Sequence, residues 1–399
     1  MKKTAALLLL LLSLLLALSA GAEKAREITQ EAAFTVPKAK NGTLRRMTDR
    51  NRETALQTEK MKEPQVSIAV QQTPCAALYI EFGSNIMPFS VQEKQAGGWT
   101  EIASWKEEYA QAYVEFPAVK EFRLVFDTEN KSKALYIREI YLFSQGERGD
   151  IPQIWQPSCE KADLLVLAAH PDDELLWFGG LIPTYAGGQG KRVQVCYLTC
   201  ANSCRRVELL NGLWHCGVRN YPDIGSFKDI KGYNAAKLYP KWGGTEKVDM
   251  YVARLLRRYQ PEVVVTQALD GEYGHAAHVV CGRSMQRACA LAADPAYDPE
   301  STALYGAWEG KKVYLHKGEH PTITMDWRLP LDAFGGKSSF EVAEEAYRLH
   351  ASQPQPRNGK KSLYYVTPEN DENSSFIYTL IYSTVGEDAL GSDMFENVP

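Results

Sequence analysis

The sequence has no excess of basic residues. It contains 45 lysines and arginines against 49 aspartates and glutamates, which gives a formal net charge of -4 over 399 residues. This balance leaves no positive field to attract a phosphate backbone, so we expect no nucleic-acid partner. Internal repeats and low-complexity tracts are also lacking, and the hydrophobic share of 45% is typical of a globular protein.

Long apolar runs are lacking except at the start of the sequence. Lys2 and Lys3 precede the run AALLLLLLSLLLALSA, and residues 20–22 (AGA) fit the small-x-small pattern of a cleavage site. This order is typical of a secretory signal peptide, so we expect residues 1–22 to be removed and the protein to be secreted. An uncleaved membrane anchor is the alternative, although the run is shorter than the ~20 residues that a spanning helix needs. After cleavage, no remaining segment predicts a stable membrane span.

No cysteine follows the apolar run closely, which argues against a lipid anchor. The eight cysteines are Cys75, Cys159, Cys196, Cys200, Cys204, Cys216, Cys281 and Cys289. Four of them are close in sequence, but their C-x3-C-x3-C spacing is not that of a zinc knuckle. We therefore prefer disulfides, which an exported chain can form, or inert buried thiols to a structural metal site. The pairing cannot be read from the sequence.

The first half of the chain alternates polar residues with β-branched or aromatic ones. QVSIAVQQ, AALYIEFG, EFRLVFD and ALYIREIYLFS are examples, separated by turn residues. This period-two patterning predicts an antiparallel β-sandwich, which we assign to residues 23–145. The order TDRNRETAL, GGWTEIASW, FRLVF and YIREIYLFS resembles the discoidin, or galactose-binding-like, family over about residues 40–145. The resemblance implies either a carbohydrate-binding module or a module that only packs against the second domain.

Strand and helix patterns alternate beyond a linker at residues 146–161, which contains two prolines and two glycines. DLLVLAAH, RVQVCYLTC and EVVVTQ are apolar throughout, as strands buried on both faces are. Helical patterns lie between them, the first reaching about Gly188. The alternation predicts an α/β domain over residues 162–399, Rossmann-like, with a mostly parallel sheet and helices on both faces. The predicted fold class is therefore this α/β domain preceded by an all-β sandwich domain.

Two of the predicted strands end in unusually polar sequences. AAHPDDE follows the strand that ends at Ala169, and ALDGEYGHAAH follows the strand that ends at Thr266. Ligands of open α/β sheets bind beyond the carboxyl ends of the strands, so the topology can bring both loops to one edge. Together the loops supply His170, Asp172, Asp173, Glu174, Asp270, Tyr273, His275 and His278.

These side chains suit a catalytic metal ion. Zinc binds imidazole and carboxylate and leaves a position for water, and a further carboxylate can act as general base toward that water. Asp172 and Asp173 are adjacent, so at ~3.6 residues per turn they point about 100° apart, and one can face the metal while the other faces the substrate. The alternative is that the acids only begin a helix, where the macrodipole favours them, and that the histidines are on the surface. Acids and histidines follow two strand ends of the same sheet, and this coincidence favours the metal site.

In combination, the two motifs resemble those of the PIG-L (LmbE-like) family of zinc-dependent de-N-acetylases, and the resemblance extends over about residues 162–398. It implies one Zn2+ per chain, with another divalent metal as the alternative, and an N-acetylated sugar or glycan as substrate. It also implies that His170, Asp173 and His278 bind the metal and that Asp172 is the general base. His275, in its protonated form, would stabilise the oxyanion or protonate the leaving amine.

The resemblance implies substrate contacts as well. Tyr273 would polarise the amide carbonyl, and Arg205 would touch substrate hydroxyls, although an i,i+3 ion pair with Glu208 is an equal alternative. Asp223, in NYPDIGS, matches a position that hydrogen-bonds the sugar. GHAAH lacks the Pro-Asp common between the two histidines, and TCANSCRR replaces a loop that is often rich in glycine and glutamate. Because that loop shapes the substrate pocket, the identity of the sugar is not implied.

The sequence signals predict a secreted protein with a metal site. The resemblance implies a zinc-dependent amide hydrolase that removes the acetyl group from an N-acetylated amino sugar or glycoconjugate. One alternative is hydrolysis of another acyl ester or amide by the same site. The other is a non-catalytic carbohydrate-binding protein, against which the intact set of site residues argues. The oligomeric state is not predicted. We interpret the remaining histidines as structural or solvated: His215, His316, His320 and His350.

Overall fold

The computed structural model describes residues 23–318, 320–354 and 365–399. The predicted signal peptide, residues 1–22, lies outside these ranges. The chain divides between Ile154 and Trp155 into two compact units, at a point within the segment predicted as a linker. In the described ranges, no helix combines the length and the apolarity that crossing a membrane requires.

The first unit is a β-sandwich, which confirms the predicted fold of this region. Its described strands are β1 (Ala32–Thr35), β2 (Leu56–Gln57), β3 (Gln65–Val70), β4 (Cys75–Phe82), β5 (Phe89–Gln95), β6 (Gly98–Trp105), β7 (Gln111–Val119), β8 (Glu121–Phe126) and β9 (Tyr136–Phe143). They form an antiparallel five-stranded sheet in the order β1-β3-β8-β5-β6 and an antiparallel four-stranded sheet in the order β2-β9-β4-β7.

Alternating side chains explain why the two sheets face each other. Val66 and Ile68 of β3 are buried, whereas Ser67 between them is only half-buried. Leu78 and Ile80 of β4 are buried in the same hydrophobic core. Removal of such apolar surface from water is worth about 25 cal/mol per Å2, and it stabilises the pairing of the two sheets.

The second unit has an α/β fold. Its described strands are β10 (Leu164–Ala168), β11 (Val193–Thr199), β12 (Asp223–Phe227), β13 (Val263–Thr266), β14 (Lys312–His316), β15 (Ile323–Thr324), β16 (Pro330–Leu331), β17 (Lys337–Ser338) and β18 (Ile377–Ser383). Seven of them form one sheet in the order β12-β11-β10-β13-β14-β18-β15. β10 to β14 are parallel, and β18 runs antiparallel to β14 and β15. The prediction of a mostly parallel sheet is confirmed.

The helices connect the strands in a doubly wound arrangement. The described helices are α1 (Asp173–Leu176), α2 (Ser203–His215), α3 (Ala235–Leu238), α4 (Thr245–Tyr259), α5 (Ala276–Ala293), α6 (Pro299–Tyr305) and α7 (Ser339–Arg348). The chain moves outward from β10 through β11 to β12 and then returns to β13 on the other side of β10. Right-handed crossovers on the two sides of this reversal place helices on opposite faces, and the reversal opens a crevice beyond β10 and β13.

The helix predicted after β10 is interrupted. α1 ends at Leu176, and a π-helical segment spans Pro183–Gly188. Gly179 has a φ of +50°, and a Cβ there would lie 2.4 Å from Oγ of Ser375. Glycine therefore turns the chain in a left-handed conformation where no larger residue fits, and Pro183 lacks the N–H that would continue an α-helix.

The eight cysteines are free thiols, and six of them are buried. Cys200 and Cys204 are half-buried. In the described part of the chain, the group of side chains arranged to hold a metal ion consists of histidines, so the four clustered cysteines form no metal site there. The structure agrees with inert thiols rather than disulfides.

Candidate metal centre

Two loops meet at the crevice between β10 and β13. Leu167 of β10 pairs with Thr266 of β13, so the two strands end side by side. His170 lies on the loop after β10, and His275 and His278 lie on the loop and helix after β13. Ligand nitrogens of these three rings lie within 4.8 Å of one another. The three imidazoles could therefore hold one metal ion.

Asp173 connects the two loops. Its Oδ2 accepts a hydrogen bond from the backbone N–H of His170 at 2.8 Å and lies 3.0 Å from Nδ1 of the same residue. Its Oδ1 accepts a hydrogen bond from Nε1 of Trp177 at 3.0 Å and lies 3.3 Å from Nε2 of His278. The carboxylate is buried at the first residue of α1, where the unpaired N–H groups of a helix start favour a negative charge.

The distances fit a tetrahedral metal ion. Bonds of ~2.0–2.1 Å from zinc to nitrogen or oxygen place two ligand atoms about 3.4 Å apart. The separation of 3.3 Å between Oδ1 of Asp173 and Nε2 of His278 matches this value. Nε2 of His278 is buried and makes no hydrogen bond to any described residue, which suits a metal ligand. Nδ1 of His275 is also buried and has no hydrogen-bond partner in the described part of the chain, so this imidazole competes with Asp173 as the third ligand.

Glu272 orients His278, and sequence reasoning did not single it out. Its Oε2 lies 2.6 Å from Nδ1 of His278, and its Oε1 lies 3.1 Å from Nδ1 of His316. The backbone N–H of Ala268 and the side-chain amide of Gln267 also donate to this carboxylate. When Nδ1–H of His278 donates to Glu272, the lone pair of Nε2 faces the cluster. The only sequence signal was an acid inside ALDGEYGHAAH.

The buried carboxylates favour a positive charge in the cluster. Burial alone would lower the pKa of His278, but Asp173 and Glu272 raise it to about 10. A divalent cation bound here would supply the positive charge that these carboxylates favour. In contrast, burial and the neighbouring His278 and His170 lower the pKa of His275 to about 4. These surroundings favour the neutral imidazole of His275 at pH 7, whereas the resemblance implied its protonated form.

Asp172 is held by residues other than the three metal ligands. Its φ of +109° lies in a region that residues other than glycine rarely adopt. Oε2 of Glu174 accepts its backbone N–H at 2.9 Å, and a guanidinium nitrogen of Arg205 lies 3.0 Å from its Oδ1. Burial raises the pKa of Asp172 well above its usual range, and Arg205 acts in the opposite direction. Such backbone strain persists where the surroundings hold it, often at functional sites.

Arg205 reaches the first loop from α2. Besides Asp172, its guanidinium contacts the carbonyl oxygen of Pro171. Its Nε lies 3.8 Å from Oε2 of Glu208, so the i,i+3 pair is also present. Glu208 accepts hydrogen bonds from the N–H and hydroxyl of Ser352 at 2.6 and 2.8 Å. A contact between Arg205 and a substrate hydroxyl stays a prediction.

The structure does not bring Asp223 to the cluster. Asp223 is the first residue of β12, at the amino end of a strand whose carboxyl end faces the crevice. Its carboxylate accepts hydrogen bonds from the hydroxyls of Tyr259 at 2.8 Å and Tyr251 at 3.2 Å, and it lies 3.2 Å from Arg258. These partners hold Asp223 away from the crevice, so the expected sugar contact has no support in the structure.

The segment after β12 lines the opening of the site instead. Oδ1 of Asp229 lies 3.8 Å from Nε2 of His170. The side chain of Tyr233 is 75% exposed, and its ring lies 6.1 Å from that of His275. Tyr273 is 39% exposed, with its ring 5.7 Å from His275. The structure therefore brings Tyr273 to the cluster as expected, together with two side chains that the sequence analysis missed.

The central part of the second unit matches a known family. Residues 165–289 match the model of the family described as PIG-L: GlcNAc-PI de-N-acetylase. This range contains both loops of the site, from His170 to His278. It forms a PIG-L family domain, in agreement with the resemblance seen in the sequence.

Curated relatives match a similar part of the chain. The 1D-myo-inositol 2-acetamido-2-deoxy-alpha-D-glucopyranoside deacetylase 1 of Catenulispora acidiphila is 29% identical over 179 residues, covering 38% of this chain and 54% of that protein. The 1D-myo-inositol 2-acetamido-2-deoxy-alpha-D-glucopyranoside deacetylase of Streptomyces avermitilis is 29% identical over 189 residues, covering 40% of this chain and 62% of that protein. The chain thus spans little more than half the length of these relatives.

Two solved structures resemble separate parts of the chain. N,N'-diacetylchitobiose deacetylase from Pyrococcus horikoshii is 20% identical, with a TM-score of 0.38, and covers 49% of this chain and 72% of that one. The family 32 CBM from C. perfringens NanJ, solved with galactose, is 14% identical, with a TM-score of 0.26, and covers 30% of this chain and 99% of that one.

Proposed function

We propose that this protein is a secreted, zinc-dependent hydrolase that removes the acetyl group from an N-acetylated amino sugar or glycoconjugate. The PIG-L domain and the relatives named as acetamido-sugar deacetylases support this proposal. The observation that carries it is the position of Asp172, buried beside the cluster of His170, Asp173 and His278 but outside their mutual contacts. Metal-assisted amide hydrolysis needs this separation between the metal ligands and a general base.

In this proposal, His170, Asp173 and His278 hold the metal. When bound, zinc acts as a Lewis acid toward the acetamide carbonyl and lowers the pKa of water, so that attack proceeds near neutral pH. Glu272 keeps Nδ1 of His278 engaged as a donor, which leaves Nε2 free for the metal. Because Asp173, His278 and Glu272 are buried and held by hydrogen bonds, they need little reorganisation during the reaction.

Asp172 removes a proton from the attacking water and transfers it to the nitrogen of the leaving amine. Arg205, 3.0 Å away, favours the anionic form of this carboxylate and orients it. The neutral imidazole of His275 and the hydroxyl of Tyr273 donate hydrogen bonds to the carbonyl oxygen as it becomes negative. The C–N bond breaks once the nitrogen is protonated, and the products are acetate and a free amino sugar.

The variant Asp172→Asn tests the general base. We expect it to bind one zinc per chain as the wild type does, but to release acetate about 100- to 10,000-fold more slowly. Acetate release is measured over a panel of N-acetylated sugars, esters and peptides, with and without a chelator. Asp270→Asn is a matched control, because Asp270 lies on the second loop with a side chain that is 76% exposed. Full activity of Asp172→Asn would show that the base assignment is wrong.

The same panel separates the alternative functions. Hydrolysis of esters or peptides without acetate release from sugars would assign the site to another acyl group. Sugar binding without stoichiometric zinc would indicate a carbohydrate-binding protein, with the sandwich of residues 23–145 as its binding module. Activity with a different divalent ion after zinc removal would correct the choice of metal. Sequencing the amino terminus of the exported protein tests cleavage after residue 22.

A further inference from the structure

Four lysines follow β12 in the segment of residues 228–241, KDIKGYNAAKLYPK, which we call the lysine segment. Its charge is +3, because Asp229 is the only acid in it, whereas the whole chain carries -4. All four lysines are exposed, and none of them pairs with a carboxylate of the described residues. They are Lys228, Lys231, Lys237 and Lys241. A local excess of positive charge raises the concentration of anions around it.

The lysine segment is attached to the metal centre at two points. Oδ1 of Asp229 lies 3.8 Å from Nε2 of His170. The carbonyl oxygen of Gly232 accepts a hydrogen bond from the backbone N–H of Ala276 at 2.8 Å, at the start of α5. Lys231 lies between these two contacts in the chain. The backbone of Lys231 is therefore held near the cluster, and its side chain is exposed.

Two cavities run along the lysine segment. One, of about 420 Å3, is lined by Lys228 and Lys231 together with Asp229 and Cys200. The other, of about 210 Å3, is lined by Lys231, Lys237 and Lys241. Each has room for several waters, at ~30 Å3 per molecule, or for a charged group of a ligand. Lys231 lines both cavities, so its ammonium group can contact an anion in either of them.

We propose that the lysine segment binds an anionic group of the substrate, so that the N-acetylated sugar carries a carboxylate or a phosphate close to the acetamide. This inference rests on the proposed deacetylase function. Lysine ammonium groups bind such anions as point charges with three rotatable donors. Several of them within a Debye length, about 10 Å at 0.1 M salt, act together on one anion. The exposed ring of Tyr233 offers the sugar an apolar face beside them.

The test compares three sugars with the zinc-loaded protein at low salt. N-acetylglucosamine is uncharged, N-acetylglucosamine 6-phosphate carries a phosphate, and N-acetylmuramic acid carries a carboxylate. We expect kcat/KM for at least one anionic sugar to exceed that for N-acetylglucosamine about tenfold, because each exposed charge pair contributes up to about fivefold. The preference should shrink in 0.5 M NaCl, as screened attractions do. The two anionic sugars distinguish a phosphate from a carboxylate.

The triple variant Lys228→Gln/Lys231→Gln/Lys237→Gln should lose the preference and keep its activity on N-acetylglucosamine. The matched control replaces three other lysines of the same unit by glutamine. These precede β10, β11 and β14 at the amino-terminal edge of the sheet, opposite the crevice: Lys161, Lys191 and Lys311. The control has the same net charge as the test variant and should keep the wild-type preference.

Equal kcat/KM for charged and uncharged sugars, or a preference that survives in the lysine variant, overturns the inference. Acetate release from N-acetylglucosamine in the same assay would leave the deacetylase proposal intact. If no sugar releases acetate, that proposal fails. Calorimetry of N-acetylglucosamine 6-phosphate binding to EDTA-treated protein then tests whether the lysine segment binds an anion. Binding that is weaker in the lysine variant than in the control supports the inference, and equal binding overturns it.

Discussion

Replacing Glu272 by glutamine removes the negative charge behind His278 and keeps the size of the side chain. The carboxylate is buried, 2.6 Å from Nδ1 of His278 and 3.1 Å from Nδ1 of His316. An amide has one acceptor oxygen on one side and donors on the other, so it cannot accept from both imidazoles in the same arrangement. If His278 turns or takes the Nε2–H tautomer, it loses its lone pair toward the metal.

We expect the affinity for zinc to fall about 10- to 100-fold, which corresponds to about 1.4–2.7 kcal/mol. Competition with a chromophoric chelator measures the affinity, and circular dichroism checks that the variant is folded. Activity lost by Glu272→Gln should return with excess zinc, whereas the loss in Asp172→Asn should not. Glu345→Gln is the matched control, because Glu345 holds His215 at 3.2 Å outside the cluster.

Unchanged zinc affinity in a folded Glu272→Gln protein would refute the reasoning. It would mean either that His278 is not a ligand or that its orientation does not depend on this carboxylate. His278→Ala separates the two cases. A large loss of affinity in that variant would retain His278 as a ligand and reject only the role of Glu272, whereas unchanged affinity would remove both residues from the metal site.

Three further predictions concern stability. Asp388→Ala leaves the fully buried ammonium group of Lys312 without its partner. Urea titration should show that the free energy of unfolding falls by about 3–5 kcal/mol. The double variant Lys312→Met/Asp388→Leu, which removes both charges, should recover this stability. Burial raises the pKa of Glu139 from 4.5 to about 7. Its contribution to the free energy of unfolding is therefore fully present below pH 4.5 and should decline by up to about 3 kcal/mol as the pH rises to 7. Curves of stability against pH for Glu139→Gln should lack this decline. Gly282→Ala places a Cβ 2.4 Å from the carbonyl oxygen of Gln267, so it should cost about 1–3 kcal/mol and weaken zinc binding, and a wild-type melting temperature would contradict this.

The general position of the site could be predicted because each part carries its own local signal. β10 and β13 are continuous apolar runs, and the polar residues begin where each run ends. Parallel strands that are neighbours in a sheet end at the same edge, so His170 and His278 meet despite their distance in sequence. Asp173 reaches both histidines because it is the first residue of α1, directly after the loop that carries His170.

The role of Glu272 had no such signal. It lies in a loop that contains Gly271 at a φ of +71° and Gly274 at a φ of +78°. Left-handed residues break the periodicity from which side-chain direction is inferred, so the sequence does not show which acid faces which imidazole. His316 comes to Glu272 from β14, and that contact depends on the strand order of the sheet.

Asp229 lies at the crevice where the sequence predicted Asp223, and this difference has another cause. β12, with the sequence DIGSF, is an edge strand that pairs with β11 alone among the described strands, and it has no buried residue. A glycine and a serine in so short a segment predict no strand, and here pairing with β11 overrides the weak propensity. Once the strand begins at Asp223, that carboxylate lies at the amino end, where Tyr251 and Tyr259 of α4 donate to it. The next acid, Asp229, then follows the carboxyl end and reaches His170. The start of β12 therefore determines which aspartate lies near the cluster. The sequence pattern does not show where this strand starts, because its start is set by tertiary pairing with β11.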